Sequence, residues 1–246
     1  MKHILLIGHG SRDEDGVREF HEMTAKVQEK LPHLPITTCF LELAEPCIGD
    51  GIDSCAAEGA EEIIAIPVIL SKARHFQHDI PEELLEAWEK YPNITIRYGE
   101  PLGTHSMLVH AIIDQIRLKE KPSSILLVSQ GSSLPEGNES SEKLAADLLQ
   151  YYPEARIENA YMVMAEPTLK QGLESLAAKE DHILVVPNFL FSGTMYKKIA
   201  ETIEEFPEKA EIDLASCYGL SENFADLLAD RILCHSDILK KEKKAS

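Results

Sequence analysis

The chain has 246 residues, enough to bury a large core in one or two domains, and 44% of them are hydrophobic, which excludes a disordered chain. Its formal net charge of −18 excludes a nucleic-acid backbone as partner, because phosphate contacts need a basic face. No apolar run approaches the roughly 20 residues of a membrane span, and the N-terminal apolar run is far shorter than the core of a secretory signal. The five cysteines, Cys39, Cys47, Cys55, Cys217 and Cys234, form no CxxC pair and read as reduced structural thiols. A cytoplasmic protein without a membrane partner is the expectation.

In chain order, the apolar run of residues 4–8 reads as a strand that stops at "GHGSR", where two glycines let the chain leave sharply around His9. Val17, Phe20, Met23, Ala25 and Val27 follow a helical period, and "LPHLP" at 31–35 breaks it. "ITTCFLEL", 36–43, is rich in β-branched and aromatic residues and predicts a strand. A helix runs through Ile48, Ile52 and Ala56 toward a stop at Gly59. The apolar run 62–70 predicts a strand buried on both faces. Asp79 stands as N-cap of a helix over 80–91 with Pro81 in its first turn, and a strand over 94–99 and a helix over 104–118 complete the set.

The whole plan then recurs. "HILLIGHGS" at 3–11 returns as "SILLVSQGS" at 124–132, "FLELAEP" at 40–46 as "YMVMAEP" at 161–167, and "IIAIPVIL" at 63–70 as "ILVVPNFL" at 183–190, at offsets of 121, 121 and 120 residues. Two copies at so long a period mean a duplicated domain rather than a solenoid. The expected fold is α/β: two tandem similar domains, 1–118 and 123–240, each a mostly parallel sheet flanked by helices. A chain that already holds both copies needs no partner to pair them, so a monomer is expected.

Ligands of such sheets bind outside the carboxyl ends of the strands. His9, the pair Glu42 and Glu45, and the stretch "LSKARHFQHD" at 70–79 all fall there. The repeat supplies an internal control: His9 corresponds to Gln130, Glu42 to Val163 and His75 to Met195, whereas Glu45 is kept as Glu166. The titrating pair is thus confined to the first copy. Two imidazoles and a carboxylate are too few for a closed structural zinc site, but they suit an open one that holds a metal loosely and accepts protons near neutrality. Glu45 before Pro46 reads equally as a helix cap or dipole partner, and its retention favours that role. Neither a GxSxG nucleophile elbow nor a GxxxxGK[ST] phosphate loop is present.

"GHGSR", "FLELAEP" and "HxxHDIP", in that order and within a duplicated chain, resemble the sirohydrochlorin chelatases, the class II chelatases of the CbiX and SirB type, in their long two-copy form. The resemblance covers essentially the whole chain. It implies insertion of Fe²⁺, for sirohaem, or Co²⁺, for cobalamin, into sirohydrochlorin, with the metal as substrate and no permanently bound cofactor. It assigns His9 and His75 as catalytic, with His9 accepting pyrrole protons, and His9, His75 and Glu45 as metal contacts. It assigns Glu42, Glu45 and the segment Leu70, Ser71, Lys72, Ala73 and Arg74 to the substrate, and Arg12 joins them as a substrate contact by its charge. Lys72 and Arg74 depart from the smaller residues of the pattern. Because the substrate carries eight carboxylates, an acidic protein needs local positive charge. Arg12, Lys72, Arg74, Lys197 and Lys198 are expected to supply it from loops, aided by backbone N–H groups of "GHGS" and "QGSS".

Overall fold

A computed structural model describes residues 1–70, 78–100, 102, 106–119, 122–133, 138–207 and 210–242. The first copy runs β1 (Lys2–Gly8), α1 (Glu14–Lys30), β2 (Ile36–Phe40), α2 (Ile48–Ala57), β3 (Glu62–Pro67), α3 (Ile80–Lys90), β4 (Thr95–Tyr98) and α4 (Ser106–Arg117). The second runs β5 (Ser124–Ser129), α5 (Glu139–Tyr151), β6 (Arg156–Tyr161), α6 (Leu169–Ala177), β7 (His182–Pro187), α7 (Thr194–Glu204), β8 (Glu211–Leu214) and α8 (Glu222–Glu242).

Each copy builds its own four-stranded parallel sheet, in the orders β2-β1-β3-β4 and β6-β5-β7-β8. The expected fold class is the observed one. The central strands are buried along their length: Ile4 to Ile7 and Ile125 to Val128 are fully enclosed, which is why they read as continuous apolar runs. In the first sheet Leu5, Ile7, Cys39, Ile63 and Ala65 share one core with Ile48 and Ile52 of α2 and Ile80 and Leu84 of α3. In both orders the chain reverses direction across the sheet at the first strand of the copy, and the carboxyl end of that strand is where such sheets place ligands.

Two strands end sooner than their sequence runs. β2 stops at Phe40 rather than at residue 43: the amides of Leu41 and Glu42 still bond to Gly8 and His9, but the backbone leaves the extended conformation where Leu43 enters the left-handed region at φ 64°. β3 stops at Pro67 rather than at residue 70: proline has no N–H for the ladder, and the next amide, Val68, donates to Ile7 at 2.8 Å. Asp79 occupies the N-cap position of α3 but makes no side-chain capping bond. Lys197 and Lys198 sit in α7 rather than on a loop.

By compactness the chain divides into Met1–Gly103 with Ala225–Ser246, and Thr104–Phe224. The last helix of each repeat is therefore counted with the other copy's sheet. In the first unit, Arg231 of α8 donates to the Leu102 carbonyl at 3.2 Å and Asp226 pairs with Lys30 of α1 at 2.7 Å. In the second, Asn223 donates to Asp114 of α4 at 2.6 Å. Among the described residues, no helix is long and apolar enough to cross a membrane.

The copies differ beneath the tips of β1 and β5. Gly8 lies under Phe20 and Phe40, where an added Cβ would come within 3.0 Å of both rings. At the equivalent place a buried polar chain links Ser141 to Ser129, Asn188 to Ser129 at 3.0 Å, and the Tyr218 hydroxyl to Asn188 at 2.9 Å. Burial raises the Tyr218 phenol well above its ordinary pKa, so it stays a donor. Tyr218→Phe should lower unfolding stability by about 1–2 kcal/mol, because it leaves a half-buried amide oxygen without its donor. Urea unfolding checks this, and an unchanged midpoint would mean that the chain contributes nothing.

Candidate active site

The site begins with main-chain geometry. At the end of β1 the chain passes Gly8, presents His9, and turns at Gly10 with φ +91°. A Cβ on Gly10 would stand 1.8 Å from the Glu42 carbonyl oxygen, so no other residue fits there. This close approach lets the loop after β2 continue the ladder: the Leu41 amide donates to the Gly8 carbonyl at 2.9 Å and the Glu42 amide to the His9 carbonyl at 3.1 Å. The stitch puts the two side chains together, with His9 Nε2 3.6 Å from Glu42 Oε1.

His9 Nδ1 lies 3.3 Å from the Gly10 carbonyl. In the tautomer that donates this bond, Nε2 keeps its lone pair on the Glu42 side. Two bonds of about 2.1 Å to one ion hold their ligand atoms about 3.0–3.5 Å apart, close to the separation of this pair. His9 is 44% exposed and Glu42 48%, so both a hydrated ion and a large ligand can reach them. One imidazole and one carboxylate leave most positions on a divalent ion open.

The second copy repeats the frame without the imidazole–carboxylate pair. Gly131 has φ +91°, a Cβ on it would meet the Val163 carbonyl at 2.1 Å, and the Val163 amide donates to the Gln130 carbonyl at 2.9 Å. Leu43 and Met164 share a positive φ, 64° and 59°. Gln130 and Val163 stand where the first copy has His9 and Glu42.

Glu45, expected beside the histidines, belongs to a different cluster. Its carboxylate, the Cys47 thiol and the Asp50 carboxylate lie within 4.8 Å of one another. There Cys47 and Asp50 form a capping box for α2, with the Cys47 amide donating to Asp50 at 3.3 Å and its thiol at 3.2 Å. The cap is therefore Cys47, and Glu45 is neither the cap nor the observed partner of His9. The second copy builds the same box from Thr168 and Gln171. Arg12 is exposed at the turn after His9, and Leu70 is half-buried beyond β3. Ser71, Lys72, Ala73, Arg74 and His75 lie outside the described residues. The sequence reading ranked Glu45 above Glu42 as a metal contact. In the structure the carboxylate beside His9 is that of Glu42, which shares the histidines' asymmetry between copies, whereas Glu45 does not.

Fold and site together define a class: a duplicated parallel α/β protein with an imidazole and a carboxylate stitched together at the strand tips of one copy. The CbiX family model matches residues 3–119 and again 124–234, and the chain belongs to that family. It is similar to a sirohydrochlorin cobaltochelatase of Priestia megaterium, 31% identical over 252 residues that cover 94% of this chain and 79% of that one. It is also similar to a sirohydrochlorin ferrochelatase of the same organism, 32% identical over 240 residues that cover 94% and 90%. Among solved structures, SirB from Bacillus subtilis with Fe³⁺ superposes with a TM-score of 0.82 at 26% identity, covering 94% of each chain.

Gly10→Ala and Gly131→Ala should each destabilise the protein by at least about 2 kcal/mol, from the left-handed backbone and the clash with a carbonyl. Only Gly10→Ala should also weaken Co²⁺ binding in a calorimetric titration. Equal loss of binding in both would place the ion elsewhere.

Proposed function

We propose that the protein is a sirohydrochlorin chelatase, inserting Fe²⁺ or Co²⁺ into the metal-free macrocycle. One observation carries the reading: an imidazole–carboxylate pair with open coordination in one copy only, within a chain whose full-length relatives include both a cobaltochelatase and a ferrochelatase. The divalent ion is a substrate and leaves with the product.

The reaction exchanges two pyrrole N–H protons for one M²⁺. Glu42 and the neutral His9 take up the ion and replace part of its water shell. As the ring nitrogens claim the metal, His9 Nε2 is released and accepts one of the two protons, the second passing to water. A neutral imidazole serves both steps because the same lone pair binds metal or proton. We assign His75 as a second imidazole contact and the segment 70–74 as a substrate loop, from the motif resemblance. Gln130 and Val163 cannot accept protons, so the second copy contributes shape rather than chemistry. Both copies in one chain support a monomer, and we propose that it works in the cytoplasm.

Insertion is followed anaerobically by the absorbance change of sirohydrochlorin, with each metal in turn. His9→Ala should slow insertion by about 100-fold or more, the usual scale for losing a general base. Glu42→Gln should cost about tenfold or more through weaker metal contact. Gln130→Ala and Glu45→Gln should stay within about twofold, since surface changes away from the chemistry are mild. Wild-type protein that binds metal and macrocycle without accelerating insertion would be a carrier, and equal losses in His9→Ala and Gln130→Ala would refute the one-copy site.

A further inference from the structure

A groove of about 760 Å³ lies within the first unit, lined by residues that follow His9 and Glu42 in the chain. One wall is α1, through Val17, Arg18 and His21; the turn residues Ser11 and Arg12 close one end, and Leu43 and Ala44 form the opposite lip. Ser11 comes two residues after His9 and Leu43 directly after Glu42, so the turns that carry the pair also contribute to the groove. Its volume falls in the range of pockets for sizeable organic ligands. We infer that this groove receives the acidic side arms of the macrocycle, with Arg12, Arg18 and His21 as the carboxylate contacts that hold the ring over His9 and Glu42. The inference rests on the chelatase reading and adds residues of α1 that the motif resemblance does not touch.

The charge distribution argues for it. A chain at −18 repels a polycarboxylate, so any approach must be over a local exception. Here Arg12 and Arg18 offset Glu14 and Glu22 along an apolar-walled groove, with the His21 imidazole beside them, so the groove is neutral in a chain that is otherwise strongly acidic. Glu14 and Glu22 also border it, and Arg18 is paired with Asp15 at 2.6 Å and with Glu22 at 3.5 Å. Those pairs are solvent-exposed and contribute little by themselves, so an incoming carboxylate can replace them. The His21 ring is held in place: it meets Phe40 edge-on with centroids 5.7 Å apart, and its Nδ1 lies 3.5 Å from the Thr38 hydroxyl.

The duplication supplies the control. α1 and α5 share one register, since their C-caps, Leu31 and Tyr152, are 121 residues apart. At that offset Arg12 becomes Ser133, Arg18 becomes Glu139 and His21 becomes Glu142. All three basic side chains are lost from the copy that also lacks His9 and Glu42, and two of them become acids. Ordinary surface charge has no reason to follow the ligand pair.

The test is binding of metal-free sirohydrochlorin to the full chain, read anaerobically by the macrocycle's own fluorescence. Arg18→Gln with His21→Gln should raise Kd about tenfold, the scale of two charged hydrogen bonds partly screened by solvent. Glu14→Gln with Glu22→Gln should lower it about threefold by removing competing acids. A Kd within twofold of wild type for the first pair overturns the groove, and so does weaker binding in both pairs, which marks a packing effect. If the first pair fails to fold by circular dichroism, Arg12→Ser, which installs the second copy's residue, is measured on the same scale, and an unchanged Kd overturns the assignment. Wild-type protein that binds the macrocycle but does not metallate it removes the chelatase reading and keeps the groove. Variants that bind as wild type, while wild type metallates normally, remove the groove alone.

Discussion

One close backbone contact sets the geometry of the site. Gly10, in a left-handed conformation, lies against the Glu42 carbonyl, and that approach allows the amides of Leu41 and Glu42 to reach the carbonyls of Gly8 and His9. Two loops that leave neighbouring strands are thereby fixed to one another by main-chain hydrogen bonds before any side chain is considered. The His9–Glu42 pair follows from this stitch. A side chain at residue 10 would separate the loops, and His9 and Glu42 would become two unrelated surface groups.

The second copy separates scaffold from chemistry. A strained residue beside a functional group invites a functional reading of the strain, and Leu43 at φ 64° stands next to Glu42. Met164 holds the same conformation beside Val163, which has no carboxylate. The strain therefore belongs to the path the chain must take after the stitch, and its cost is borne in both copies. At the site the copies are distinguished by side-chain identity: His9 against Gln130, Glu42 against Val163, and Arg12, Arg18 and His21 against Ser133, Glu139 and Glu142.

The architecture was legible because its signals are periodic and duplicated. Continuous apolar runs mark β1, β3, β5 and β7, which are buried on both faces, and the repeat gives every element a second reading. The early ends of β2 and β3 were less visible, because "LEL" and "VIL" keep strand-like composition while the backbone is diverted by Gly10 and Pro67. The choice between Glu42 and Glu45 turned on a three-dimensional fact, the reach of the loop ladder, and on a capping box built from Cys47, a residue type rarely used to cap. The groove along α1 was hidden for a similar reason: Arg12 was legible as a basic residue near the site, but Arg18 and His21 read as ordinary polar positions of an amphipathic helix until Leu43 and Ala44 are seen to line the same groove.

A protein that hands a metal to a macrocycle must bind it less tightly than the product does. Nitrogen and oxygen ligands in an incomplete set meet that need, whereas thiolates would retain a borderline ion. The chain's cysteines are placed accordingly. Burial pushes the Cys39 thiol, and to a lesser degree that of Cys55, above the ordinary range, and a thiol that resists ionisation is a poor metal ligand. Cys47 is exposed near the site, and hydrogen bonding to the Asp50 amide favours its thiolate. Its bond to the Asp50 carboxylate, together with partial desolvation, outweighs that and leaves its pKa raised. The carboxylate that completes the capping box thus helps keep the nearest thiol protonated. In the proposed reaction the metal meets a histidine and a glutamate, each nearly half open to solvent, and these are ligands it can leave.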